Sequence, residues 1–216
     1  MKSRYIAVLV FIVLVMTALY GYPAQKKSIT LPPYPESSGV DLVTALEKRQ
    51  TTREYSSQPI TMGDLSALLW AANGVNRKDE KRTAPSAYGN QYIVLYVVTD
   101  SGSYRYDPLK HTLKYRMSFN TKSTLSGQKH VLIASHVLVI VVDQDKIPGY
   151  FIDNDIKIRW AHATAGAIAQ NVYLMAAAKE IGTCIVGGIN EKDIQKSLKL
   201  PKNQIPLYIM PLGYKR

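Results

Sequence analysis

Cysteine is almost missing from this 216-residue chain, and Cys184 stands alone. That excludes an internal disulfide and any metal site built from a cysteine cluster. Neither of the common glycine-rich phosphate cradles is present, since no stretch reads G-x-G-x-x-G or G-x-x-x-x-G-K-[ST]. No serine lies in a G-x-S-x-G turn, and Cys184 sits in an apolar stretch with no base near it in sequence, where a packing role outweighs a nucleophilic one. The four histidines, His111, His130, His136 and His162, are not paired at metal-ligand spacing, and the stretch containing Asp143, Asp145, Asp153 and Asp155 lacks the glycine and final glutamate of a calcium loop. No metal is expected. Acidic residues are scarce as well. Sixteen Asp and Glu face 27 Lys and Arg, a formal net charge of +11, so the surface attracts anions: nucleic acid, anionic lipid or a phosphorylated cofactor. The basic residues are dispersed and not interleaved with aromatics, which argues against nucleic acid.

What is there begins with an apolar run. Lys2 and Arg4 precede residues 5–20, and Gly21, Pro23 and Lys26-Lys27 end it. This is the form of an export signal, and 16 residues fall short of the ~18 to 20 that span a bilayer comfortably. Cleavage after Ala24 would place bulky Tyr22 where a small residue is preferred, so residues 1–24 read as a signal peptide or a signal anchor, with a buried N-terminal element as a third possibility. The expected location is extracytoplasmic or membrane-attached through residues 5–20. Residues 25–38 carry three prolines and no helical period, and read as an extended linker or surface arm.

Residues 39–216 read as one α+β domain. Ser38 is placed to cap a helix with Leu42, Val43 and Leu46 on one face, and Thr61 to cap a second that stops at Gly74. Residues 92–99 and 136–142 read as strands buried on both faces, and 103–106 with 111–116 as a hairpin. The longest helix is expected over 158–181, apolar on nearly every side and ended by Gly182. A strand at 184–186, a helix capped by Asn190 and a strand at 205–210 follow.

Four segments bear on chemistry. Arg49, Thr51 and Arg53 offer two guanidinium groups and a hydroxyl within five residues, which suits a phosphate monoester; the plain alternative is a solvated basic helix end. The loop 82–91 is small and polar and precedes a buried strand. Gly187-Gly188 can turn backbone N–H groups toward a ligand. Gly213-Tyr214-Lys215-Arg216 forms a second basic cluster.

In this order the chain resembles the nitroreductase-like FMN flavoproteins, and within them the SagB-type azoline-dehydrogenase branch. The likeness is carried by K-R-Q-T-T-R-E-Y (48–55), L-L-W-A-A-N-G (68–74), R-T-A-P-S-A (82–87), Y-R-Y-D-P (104–108), A-G-A-I-A-Q-N-V-Y-L-M-A-A-A (165–178), G-T-C-I-V-G-G (182–188) and L-G-Y (212–214). It implies a nitroreductase-like α+β fold: a central, mostly antiparallel sheet flanked by helices, with a long buried helix at a homodimer interface that holds FMN. It further implies that Arg49, Gln50, Thr51 and Arg53 meet the phosphate and ribityl chain, and that Lys215 or Arg216 reaches the phosphate. Pro85, Ser86 and Ala87 of the partner subunit would lie beside the flavin ring, and Gly187 and Gly188 would present backbone to its reactive edge. Gln50 stands where the family usually has a second arginine, and P-S-A continues Y-G-N-Q rather than G-A-L-Y-P. The implied activity is hydride transfer from a reduced nicotinamide, NAD(P)H, through FMN to a small-molecule or peptide substrate, with no side chain assigned as acid or base. The alternative is an exported flavin-binding protein without turnover.

Overall fold

Two runs of β-branched and aromatic residues make the middle of the sheet. In the computed structural model, which describes residues 28–149 and 153–216 apart from Pro35 and Ser38, they are β2 (Ile93–Thr99) and β5 (His136–Asp143), paired antiparallel along their length. Around them lie β1 (Ile29–Thr30), β3 (Gly102–Asp107), β4 (Thr112–Met117), β6 (Ile181–Thr183) and β7 (Gln204–Tyr214). The order across the sheet is β1-β4-β3-β2-β5-β7-β6, with every neighbouring pair antiparallel. The expected hairpin is β3–β4.

Alternation sorts each central strand onto two cores. Ile93, Leu95 and Val97, with Leu138 and Ile140, face α2 (Met62–Asn73) and α5 (Asn154–Ala178). Val94, Tyr96 and Val98, with Val137, Val139 and Val141, face the opposite side, which is closed by Leu125 and Val131 of the short helices α3 (Lys122–Leu125) and α4 (Lys129–Ile133) and by Ile194 of α6 (Glu191–Ser197). Helices therefore flank both faces of an antiparallel sheet, the α+β layout expected.

Several boundaries differ from the sequence expectation. The first helix, α1 (Leu42–Lys48), is capped by the Asp41 carboxylate, which accepts from the Thr44 N–H at 3.0 Å; Ser38 lies outside the described residues. Only Ala45 of α1 is buried, while Leu42, Val43 and Leu46 are 65%, 63% and 50% exposed in the single chain. The arm of residues 25–38 is partly built into the sheet: Ile29 and Thr30 pair with β4 and Leu31 is buried, so folded structure starts before Gly39. The long helix runs Asn154–Ala178, four residues earlier than expected at its start and three at its end. Glu180, at φ 55°, breaks it, so Gly182 is not its stop. Gly182 lies inside β6, where an added Cβ would stand 2.7 Å from Thr52 Cγ2, and only glycine lets the two segments meet. Nor is α5 buried on every side: Ala165, Ile168, Val172 and Ala176 face the sheet, while His162, Ala163, Gly166 and Gln170 are exposed. The strand placed at 184–186 lies instead at Ile181–Thr183, because the Ile185 N–H leaves the ladder for the Tyr173 hydroxyl; Val186 makes only an isolated bridge to Ile209. The last strand extends to Tyr214. Among the described residues no helix is long and apolar enough to cross a membrane, and the apolar run 5–20 lies outside them.

Candidate cofactor site

The basic segment begins where α1 ends. Arg49 still donates its N–H to the Ala45 carbonyl, but its own backbone is extended, so the chain leaves the helix there. The Arg49 guanidinium lies over the Tyr173 ring of α5, 5.5 Å from its centre, in the range of a cation–π contact. Thr51 Oγ1 is 3.5 Å from the Tyr173 hydroxyl, which also accepts from the Ile185 N–H at 2.8 Å. One tyrosine thus ties the basic segment to α5 and to the end of β6. Thr52 donates its N–H to the Thr183 carbonyl at 3.0 Å, and Tyr55 donates its hydroxyl to the Thr52 carbonyl at 3.0 Å. Gly213 of β7 packs on the Tyr55 ring, where a Cβ would stand 2.8 Å from its carbons. Gln50, Thr51 and Arg53 remain exposed.

Arg53 stands beside Cys184 and His130. Burial pushes the Cys184 thiol up, Arg53 opposing it, and burial holds the His130 imidazole down, with Arg53 adding to the effect. His130 Nε2 is buried without a partner among the described residues, as is Thr183 Oγ1. Neither Arg49 nor Arg53 has a carboxylate partner there. Lys215, by contrast, shares Glu180 with Lys48, at 3.5 and 3.2 Å, and its backbone bridges to Tyr55. Arg216 is exposed. The C-terminal cluster is therefore beside the basic segment, with one of its two cations already paired.

The loop of Gly187 and Gly188 closes the other side of this half. The Gly188 carbonyl accepts from Ser126 Oγ at 2.8 Å and Gln128 Nε2 at 3.3 Å. A Cβ on Gly188 would stand 3.2 Å from Gln128 Nε2. The N–H groups of both glycines have no acceptor among the described residues and are exposed, so they are free to bond a ligand. Ser126, Gln128, His130 and Tyr173 were not anticipated as site residues. Three of them belong to the polar stretch S-G-Q-K-H at 126–130, which carries no periodic or spacing signal by itself.

Pro85, Ser86 and Ala87 lie elsewhere. They line a cleft of about 290 Å³ with Tyr92 and with Trp160, Ala163 and Thr164 of α5. The Ala87 N–H donates to the Tyr92 hydroxyl at 3.1 Å, which is 2.7 Å from Thr164 Oγ1, while Ser86 Oγ is buried without a partner. Tyr173 and Ala163 are ten residues apart on one helix, about 15 Å. Within a single chain the structure therefore brings Arg49, Thr51, Arg53, Gly187, Gly188 and Lys215 together, and leaves Pro85, Ser86 and Ala87 at the other end of α5.

A seven-stranded antiparallel sheet, a long helix with one face exposed and a basic segment packed against that helix define an α+β protein with residues suited to an anion. Comparison makes the class specific. Residues 46–214 match the Nitroreductase family model, and the chain belongs to that family. A nitroreductase-family protein of Methanocaldococcus jannaschii is 32% identical over 191 residues, covering 84% of this chain and 94% of its own. The crystal structure of a nitroreductase-family protein from Ralstonia eutropha has a TM-score of 0.83 at 34% identity, covering 90% of this chain and 92% of that one. At 20% identity the fold alone is shared with the NADPH:FMN oxidoreductase of Vibrio harveyi complexed with NAD+, with a TM-score of 0.60 over 81% of this chain and 68% of that one.

Proposed function

We propose that this nitroreductase-family protein is an FMN-dependent oxidoreductase that works as a homodimer and takes hydride from a reduced nicotinamide. The observation that carries the proposal is the basic half-site: two guanidinium groups without carboxylate partners and a hydroxyl between them are tied through Tyr173 to the end of β6, a few residues before two glycines whose N–H groups have no acceptor among the described residues. Its orphaned polar atoms, His130 Nε2 and Thr183 Oγ1, add hydrogen-bonding capacity that the chain itself leaves unused. This donor set fits a phosphate-bearing cofactor. Arg49, Thr51 and Arg53 would hold the phosphate, since guanidinium groups bond it with charge assistance. Gly187 and Gly188, braced by Ser126 and Gln128, would orient the ring and bond its edge. Bound FMN supplies the hydride chemistry.

The Pro85–Ala87 loop completes the site from a second subunit. In its own chain it lies about 15 Å along α5 from the basic half, and Ala163 and Gly166 on the exposed face of α5 leave room for a second copy to approach. Leu42, Val43 and Leu46 of α1 are a further exposed apolar group that a second copy would cover. The substrate is a small molecule or peptide; motif likeness favours the SagB-type branch. Membrane attachment or export through residues 5–20 remains part of the proposal.

The absorption spectrum of protein from a flavin-replete host should show bound flavin, and NADH or NADPH should bleach it anaerobically. A flavin band that neither donor bleaches would replace the enzyme with a flavin-binding protein. Absence of any band would remove the cofactor assignment.

A further inference from the structure

At one end of their ladder, β2 and β3 part company. Their pairing ends at Tyr96 and Arg105, and beyond it a cleft of about 250 Å³ opens between residues 93–95 and 105–109. Arg82 is delivered into this cleft by the short bridge it makes with Val75. Its side chain is unusual. The residue is only 9% exposed, yet Nε and Nη1 are both buried with no partner among the described residues. Burial lowers its pKa from the ordinary arginine value, while Tyr106, Glu80 and Asp107 oppose the shift.

The rest of the lining repeats the sign. Arg105, Lys114 and Lys146 join Arg82, and Asp107 is the one acidic residue among them. Asp107 is engaged by Lys114 at 2.7 Å, so only part of its charge is left to offset Arg82. Lys146 is 3.8 Å from Asp143, which lies outside the lining and also accepts from Asn203 and Gln204. The lining itself carries four cations and one anion, an excess that Asp143 beside Lys146 and Glu80 near Arg82 reduce without cancelling. A buried cation without a partner is costly, and a chain tolerates it where a ligand supplies the balance.

We propose that this cleft is a second anion site, separate from the cofactor halves, that takes a phosphoryl group, either free phosphate or a small phosphate monoester. The excess of charge favours a multivalent oxyanion over a carboxylate. Arg82 and Arg105 both line the opening, and guanidinium groups bond phosphoryl oxygens with charge assistance. The volume is below the ~300 to 1,000 Å³ of pockets for drug-sized ligands, so a nucleotide does not fit.

Thermal unfolding of the full-length protein saturated with FMN tests the site, because a ligand that binds only the folded state raises the midpoint. Inorganic phosphate should raise it saturably, and more than acetate at equal ionic strength. A response to glycerol phosphate as well identifies an ester site, and a response to inorganic phosphate alone a free-ion site; both support the proposal. Arg82→Gln should weaken phosphate about 10- to 150-fold, the range of a lost charge-assisted bond. Arg105→Gln, at a half-exposed strand position, provides the same reading where the buried substitution disturbs folding. Arg49→Ala separates this site from the proposed cofactor site, since phosphate in the cleft is indifferent to it, with or without FMN. No saturable effect, acetate as effective as phosphate, loss of the effect in Arg49→Ala, or unchanged affinity in both cleft variants overturns the proposal.

Discussion

At the scale of single residues, Arg49 is held differently from Arg53. Its guanidinium rests on Tyr173, so its direction is fixed before any ligand arrives, whereas Arg53 is exposed beside Cys184 and His130. Pre-orientation reduces the ordering cost of each bond formed. Arg49→Ala should therefore weaken FMN about 10- to 150-fold in a fluorescence titration, while riboflavin, which lacks the phosphate, binds variant and wild type alike. Equal FMN affinity in Arg49→Ala and wild type would reduce the basic segment to a solvated helix end. The types of these residues made them candidates in sequence: two arginines flanking a threonine suit a phosphate monoester, with a solvated basic helix end as the plain alternative. Tyr173, Ser126, Gln128 and His130 were not legible. Tyr173 reads as one more apolar position of a helix, and its partners at residues 49, 51 and 185 come together only through tertiary packing.

At the scale of elements, the strands buried on both faces were the easiest to see, because residues 93–98 and 137–142 are apolar without interruption. Helix ends were harder. Glycine at 182 looked like punctuation, but a glutamate in left-handed backbone ends α5 and the glycine serves a contact with Thr52. The first residue of β5 makes a prediction of its own. His136 is held by Ser135 Oγ at 3.0 Å, and burial, with Lys122 adding and Asp100 opposing, brings its pKa down to about 4 from the ordinary 6.5. Folded protein thus keeps this imidazole neutral where the unfolded chain protonates it. The resulting stability is fully present above about pH 6.5 and is lost as pH falls toward 4, on the order of 3 kcal/mol in all. Urea midpoints across that window should drop for wild type, and the difference between wild type and His136→Gln should shrink with acidity. Parallel curves for the two proteins would show that another group governs acid lability.

At the scale of the whole molecule, two exposed helix faces bear on association: Leu42, Val43 and Leu46 of α1 and Ala163, Gly166 and Gln170 of α5. Light scattering should find a dimer. Gly166→Glu, which puts a bulky charge on the close-packed stripe with open space around it in the single chain, should give a folded monomer that loses FMN. A Gly166→Glu monomer that still holds flavin as tightly as wild type would show that the Pro85–Ala87 loop has no part in binding.

The sheet's two borders carry a consequence for how copies of the chain can meet. Two residues of β1 shield β4 on one side, and three residues of β6 shield β7 on the other. Very short border strands of this kind discourage pairing with another sheet, and the part of β4 that β1 leaves uncovered carries Lys114 and Arg116, whose charges act in the same direction. Association is left to the helical surfaces, where a twofold contact uses the same patch on both partners and consumes it. A contact of that kind would close at a pair. The brief strand Ile29–Thr30, a minor part of the fold by size, is a selvedge that keeps a sheet-built molecule from fraying into fibres.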